Sequence, residues 1–343
     1  MQQVWIPTTG APDVLEVREA PDPVAGPGEV LITVEAAGVN FADVLARQGI
    51  YPDAPPLPAV VGYEAGGTVA AVGAGVTAFA PGDPVLAMTR FGGYSSHLVV
   101  PEAAVWRRPD GMSAAEGAAI PVNYLTAFQM MIAMGGMQRE ADLGYRQRVL
   151  VHGASGGVGT ACADLGRHYG VELFGTASPG KHDYVLSRGY DHAIDYRHRD
   201  FVAEVARLTD GRGVDLALDP IGGDHWGRSL DALGPSGRLV VYGISSASGQ
   251  GKLGLVRTML AVPWLRSTPV SLLGANHGVI GVNVGHLWGA QRRVGAWMDR
   301  ILALYVEGVV RPHVDREVPF AEAAEAHRHL EERRNVGKTV LVP

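Results

Sequence analysis

The residues with the clearest chemical meaning form the run Val149-Leu-Val-His-Gly153-Ala-Ser-Gly156-Gly157-Val158-Gly159. A hydrophobic strand runs into a glycine turn that opens a helix. Glycine lets the backbone approach a pyrophosphate closely, and a helix N-terminus supplies unpaired N–H groups and a partial positive charge. The spacing is G-x-x-G-x-x-G rather than G-x-G-x-x-G, so the strand–turn–helix context carries the expectation of a dinucleotide site more than the glycines do. The segment Gly153-Ala-Ser155-Gly-Gly157 also fits the G-x-S-x-G turn of a nucleophilic serine. The surplus glycines, and the lack of a hydrolase pattern elsewhere, favour a phosphate turn.

The end of the next strand selects the cofactor. A protein that prefers NAD usually places Asp or Glu there, to hold the ribose 2′-hydroxyl. Here Leu173-Phe-Gly-Thr176 leads into Ala177-Ser178-Pro179-Gly180-Lys181, with no acid to repel a 2′-phosphate. Ser178 offers a hydroxyl and Lys181 a cation, and Tyr196-Arg197 after the following strand can converge on the same place. The expected cofactor is NADPH.

Metal chemistry is not expected. Cys162 is the single cysteine, which excludes an intramolecular disulfide and a multi-cysteine zinc site, and the 12 histidines are scattered without an H-x-x-x-H helix pair. Asp43 and Glu64 lie among apolar neighbours and are assigned structural roles. The chain of 343 residues has a net charge of −6, with 47% hydrophobic and 19% charged residues, which suits about two soluble domains. Mild acidity without a basic block argues against nucleic acid or an anionic membrane as the main partner. The start, MQQVWIP, has no signal-peptide pattern, and the uncharged runs from Gly117 to Met137 and from Ser267 to Gln291 are interrupted by polar residues. These features predict a cytoplasmic protein.

Two kinds of element must position these groups. The first 110 residues read as all-β, a small barrel or sandwich, with strands at Val30–Val34, Gly67–Val72 and Val85–Met88 between Gly- and Pro-rich turns. Ser113-Ala-Ala-Glu116 is a capping box, and an Ala- and Met-rich helical run follows to about Met134. From Arg148 strands and helices alternate, which predicts a parallel sheet covered on both faces. Ser245 to Lys252 reads as a Ser/Gly-rich loop. Helices are expected over Val294–Glu307 and Phe320–Arg333, and a last strand over Thr339–Val342. A crevice between the two parts is the default ligand site.

With these residues placed, the chain resembles the zinc-independent quinone oxidoreductases, the ζ-crystallin family of medium-chain dehydrogenases/reductases, and is most similar to the vesicle amine transport protein-like branch. The resemblance rests on Gly38-Val-Asn40-Phe-Ala-Asp43, Arg47-Gln-Gly-Ile-Tyr51-Pro52, Gly62-Tyr63-Glu64, Pro81-Gly82-Asp83, Val122-Asn-Tyr-Leu-Thr126-Ala, the glycine motif, and Gly175-Thr-Ala-Ser178-Pro-Gly-Lys181-His. It implies an α/β protein with a GroES-like β-rich catalytic domain and a Rossmann-type doubly wound parallel-sheet nucleotide-binding domain. Residues 1–121 would be the first part of the catalytic domain and 122–258 the NADPH-binding domain. Residues 259–343 would finish the nucleotide domain with a dimer-edge strand and return to the catalytic domain. A homodimer is implied as well. Zinc-dependent members carry Cys and His where this chain has Asn40 and Tyr63, so zinc independence is implied.

Carried onto matching positions, cofactor contacts are expected from Thr126, Gly156, Gly157, Val158, Ser178, Lys181, Tyr196, Gly243, Ser245 and Asn335, with Lys338 also in reach. The expected reaction is hydride transfer from NADPH to a small electrophilic acceptor, a quinone or an α,β-unsaturated carbonyl. Asn40 would hydrogen-bond the nicotinamide ribose or the acceptor oxygen, Tyr51 would donate a proton, and Tyr63 would shape the pocket. The alternatives are an enoyl-thioester or tailoring reductase of a biosynthetic pathway and a non-catalytic NADPH-bound binding or structural protein.

Overall fold

The computed structural model describes residues 1–343, the Lys252 side chain excepted. The chain divides into two units. The first comprises Met1–Leu125, Gly285–Val306 and Pro312–Pro343, and the second Thr126–Val284 and Glu307–Arg311.

Along the first unit run β1 (Gln2–Trp5), β2 (Glu16–Glu19), β3 (Glu29–Gly38), α1 (Phe41–Arg47), β4 (Glu64–Val72), β5 (Pro84–Met88), β6 (His97–Pro101), β7 (Val105–Arg107) and α2 (Ala114–Gly117). In β3 the period-two pattern sends Val30, Ile32, Val34 and Ala36 into the core while Glu35 faces out. The stretch expected to be all-β thus contains a helix, α1. Asn40 starts it in extended conformation, and the Asp43 carboxylate accepts the Asn40 N–H at 2.8 Å. The Ser113/Glu116 capping box is present, but the helix stops at Gly117 and resumes as α3 (Pro121–Phe128), ending in a π turn over Gln129–Ala133. Pro121 explains the break, because it lacks the N–H that a continuous helix needs and fits the first helical position.

The second unit continues with α4 (Glu140–Leu143), β8 (Arg148–His152), α5 (Gly157–Tyr169), β9 (Glu172–Ala177), α6 (His182–Ser187), β10 (His192–Asp195), α7 (Phe201–Leu208), β11 (Val214–Asp219), α8 (His225–Asp231), β12 (Leu233–Val241), α9 (Gly251–Leu260), α10 (Pro269–Ala275) and β13 (Gly278–Gly281). Its six strands are all parallel in the order β10-β9-β8-β11-β12-β13. Counted from β8 this is 3-2-1-4-5-6, the doubly wound order whose direction reverses beside the first strand. Val149, Leu150 and Val151 are all buried, as a strand covered on both faces requires. The expected loop from Ser245 to Lys252 is shorter than predicted, because α9 begins at Gly251. Beyond it Leu260, Trp264, Leu265 and Leu273 are exposed.

The chain then returns to the first unit through α11 (Gln291–Val306), β14 (Val314–Pro319), α12 (Ala323–Glu331) and β15 (Lys338–Val342). The first unit's main sheet runs β14-β15-β3-β4-β5-β7, with β6 paired to β3, so strands from both chain ends share one core. No helix among the described residues is long and apolar enough to cross a membrane.

Candidate functional site

In the second unit the glycine turn sits at the C-terminal end of β8, where the strand order reverses. Gly153 has a φ of +70°, a conformation that favours glycine. At Gly159 a Cβ would come within 2.3 Å of the Ala154 carbonyl oxygen, so the helix packs on the turn more closely than any other residue allows. Gly156 is the extended N-cap of α5, which leaves the first N–H groups of Gly157, Val158 and Gly159 without helical acceptors. Of the other expected cofactor residues, Ser178 follows β9, Tyr196 follows β10, and Gly243 and Ser245 follow β12. All therefore lie at the edge where doubly wound sheets bind ligands. Lys181 ends the short turn after Ser178, which carries no acid. Thr126 is buried on α3.

The same edge carries a cluster that sequence reading missed, because its members are far apart in the chain. His152 at the end of β8 bonds Thr176 (3.0 Å) and Ser229 (3.1 Å) through its two ring nitrogens. Asp219, at the end of β11, accepts from Ser229 and His225, both at 2.6 Å. Burial holds the His152 pKa down at about 3. For Asp219, burial works in the opposite sense, but His225, His152 and Ser229 outweigh it and its pKa falls to about 2. His152, Asp219 and His225 have the composition of a metal site. With both His152 nitrogens engaged, the arrangement is a satisfied hydrogen-bond network that fixes the strand ends.

The first unit holds the other expected residues. Asn40 is buried, and its amide nitrogen donates to Glu64 Oε1 (3.0 Å) and the Gly38 carbonyl (3.4 Å). Its Oδ1 accepts the Lys338 ammonium at 2.7 Å. Lys338 also donates to Glu64 Oε1, and Glu64 Oε2 accepts the Val122 N–H at 2.7 Å. Lys338 therefore points into this buried pair. Both amide hydrogens of Asn40 are used, so of its two expected partners only the ribose hydroxyl, a donor, suits the lone pair left on Oδ1.

Tyr51 and Tyr63 meet edge to face with centroids 6.5 Å apart, and Tyr63 also contacts Phe91 at 5.3 Å. The Tyr63 hydroxyl is enclosed without a hydrogen bond of normal geometry. Burial first, then the charge of Asp43 and the neighbouring Tyr51 hydroxyl, raise its proton affinity. Asn335 caps its own turn, donating to the Gly337 carbonyl at 3.3 Å.

Comparison with known proteins matches residues 26–110 to the alcohol dehydrogenase GroES-like domain and residues 188–341 to the zinc-binding dehydrogenase domain. The quinone oxidoreductase of Pseudomonas aeruginosa is 34% identical over 337 residues, covering 97% of each chain. The chain belongs to the medium-chain dehydrogenase/reductase family. The human synaptic vesicle membrane protein VAT-1 homolog is 38% identical over 333 residues, 96% of this chain and 82% of the relative. The Escherichia coli quinone oxidoreductase structure complexed with NADPH superposes with a TM-score of 0.87 at 27% identity over 100% of both chains. Together these place the chain with the quinone oxidoreductase branch of the family.

The family name raises the question of zinc, and the donor set here does not fit it. Asn40, Tyr63 and Glu64 offer an amide, a phenol of raised proton affinity and one carboxylate. A cation, the Lys338 ammonium, already neutralises that carboxylate and takes up Asn40 Oδ1.

Proposed function

We propose that the chain is an NADPH-dependent, zinc-independent oxidoreductase that transfers a hydride to a quinone or another activated α,β-unsaturated carbonyl. The observation that carries this reading is the glycine turn at the reversal point of a 3-2-1-4-5-6 sheet, followed by a second strand that ends in Ser178 and Lys181 without an acid. NADPH supplies the hydride. The N–H groups at the start of α5 hold its pyrophosphate, and Ser178, Lys181 and Tyr196 take the 2′-phosphate. Gly243 and Ser245 border the nicotinamide, and Thr126 and Asn335 complete the cofactor contacts. Asn40 accepts a ribose hydroxyl. Tyr51 donates the proton to the reduced acceptor, and Tyr63, edge to face with it, walls the acceptor site. Without a metal to polarise an unactivated carbonyl, the chemistry is limited to acceptors that are already electron-poor.

The chain is further proposed to work in the cytoplasm as a homodimer joined through a sheet edge of the second unit, a state that sedimentation measures directly. The test of function follows NADPH absorbance with a benzoquinone, a naphthoquinone, an alkenal and an enoyl thioester, with NADH in parallel. Fast NADPH oxidation by quinones or the alkenal is expected, and Tyr51→Phe should lower kcat while leaving NADPH affinity unchanged. Preference for the thioester moves the assignment to enoyl reduction. Tight NADPH binding without turnover of any acceptor overturns the catalytic reading.

A further inference from the structure

Asp43 is fully buried and no salt bridge reaches it among the described residues. Its Oδ2 accepts the Asn40 N–H at 2.8 Å and the Tyr94 hydroxyl at 3.0 Å, and its Oδ1 accepts the Gly62 N–H at 3.0 Å. One carboxylate thus ties the segment of Asn40 to the segment of Tyr63. The Tyr94 hydroxyl lies 3.2 Å from His327 Nε2, and both residues are fully buried.

The charges around this chain are otherwise paired. Arg47 on α1 is bound to Glu331 on α12, and Lys338 on β15 to Glu64. The remaining titratable group facing it is the Tyr63 phenol, whose proton affinity Asp43 raises. Asp43 is therefore the odd charge of the group. Burial raises its pKa to about 7, against the pull of the Asn40, Tyr94 and Gly62 donors and of Lys338. Burial and the nearby Arg47 hold His327 neutral, with a pKa of about 3.

We propose that Asp43, Tyr94 and His327 form a proton-sharing chain whose ionisation tightens the Asn40 and Tyr63 segments, which makes Asp43 a positioning residue for the acceptor site. A hydroxyl has one hydrogen, so Tyr94 can point it only one way. With Asp43 ionised, Tyr94 donates to the carboxylate and accepts from His327 Nε2–H. With Asp43 protonated, the acid donates to Tyr94, Tyr94 donates to His327 Nε2, and the imidazole hydrogen sits on Nδ1. His327 Nδ1 has no hydrogen-bond partner, so either tautomer is accommodated. Every bond of the chain survives the switch. What changes is the strength of the two backbone bonds, since a charged acceptor binds N–H groups more tightly than a neutral one.

Only the kinetic readout rests on the proposed oxidoreductase activity. The test measures amide hydrogen exchange at Asn40 and Gly62, and the His327 tautomer by 15N NMR, across about pH 5.5 to about pH 8.5 in the intact protein. Protection of both amides should rise at least about threefold through one ionisation, beyond the intrinsic pH effect, as His327 moves its hydrogen from Nδ1 to Nε2. Tyr94→Phe removes one donor from the carboxylate and should move the midpoint up by about half a unit or more. Asp43→Asn should abolish the transition. Should that variant not fold, Tyr94→Phe and His327→Gln still decide. The kcat for naphthoquinone reduction should follow the same midpoint. Flat protection in the unmodified protein, or a midpoint indifferent to Tyr94→Phe, overturns the proposal. Absence of turnover overturns the oxidoreductase reading instead, because exchange and tautomer are read without it.

Discussion

Removing Lys338 should cost far more than losing one hydrogen bond. Its ammonium is the counter-charge of Glu64, whose side chain is fully buried, and the same ammonium holds Asn40 Oδ1 at 2.7 Å. Lys338→Met keeps most of the aliphatic volume but leaves Glu64 as an uncompensated buried carboxylate held only by the Asn40 amide and the Val122 N–H. Breaking such a pair from one side costs about 3–5 kcal/mol, and Glu64→Gln, which strands the ammonium, should cost a similar amount. If the two charges act as one unit, the double variant should lose at least about 3 kcal/mol less than the sum of the single losses, since it buries no unpaired charge. Urea unfolding followed by tryptophan fluorescence, with Trp5 and Trp106 reporting on the first unit, gives the three free energies. Additive losses, agreeing to within about 0.5 kcal/mol, would refute the claim that Lys338 serves as the internal counter-ion.

Gly159→Ala should drive a methyl group into the Ala154 backbone, costing about 1–3 kcal/mol of stability and about tenfold or more in NADPH affinity, measured by unfolding and fluorescence titration. Lys181→Ala should weaken NADPH binding by about 10- to 100-fold and leave NADH binding unchanged, and an equal loss for both cofactors would remove Lys181 from the 2′-phosphate site. His152 has a folded-state pKa of about 3 against 6.5 for the free side chain. The unfolded chain therefore binds its proton first, and stability is lost as pH falls from about 6.5 toward about 3. His152→Gln should flatten that acid slope in denaturation curves collected between about pH 6.5 and about pH 4.

The nucleotide fold was readable because its signals are local. Val149-Leu150-Val151 is an unbroken apolar strand, the glycines follow at once, and the helix and next strand come within about thirty residues, the span of a βαβ unit. Helix α1 was hidden by its length of seven residues and by strands on either side, although Asn40 and Asp43 at cap spacing were the signal for it. Helix α9 was hidden by Gly251 and Gly254, which make its first turn look like a loop. The inward turn of Lys338 and the Asp43–Tyr94–His327 chain could not be read at all. Lys338 meets Glu64 across 274 positions, and Tyr94 meets His327 across 233, and no local periodicity encodes such pairings.

The strand β15 sits between β14 and β3, so a core begun by the first hundred residues is closed by the last six. On the ribosome this sets an order of events. Most of the second unit, Thr126–Val284, is continuous and can assemble as it emerges, whereas β3 must wait for a partner synthesised about 300 residues later. Until then β3 has β4 on one edge and β6 along Glu29–Thr33 on the other, but its Ala37–Gly38 end stays unpaired, the condition under which strand edges find wrong partners. A nascent chain arrested before Lys338 should therefore carry a folded nucleotide unit behind an N-terminal sheet that lacks β15, which makes the arrival of that strand the last step in closing the first unit's core.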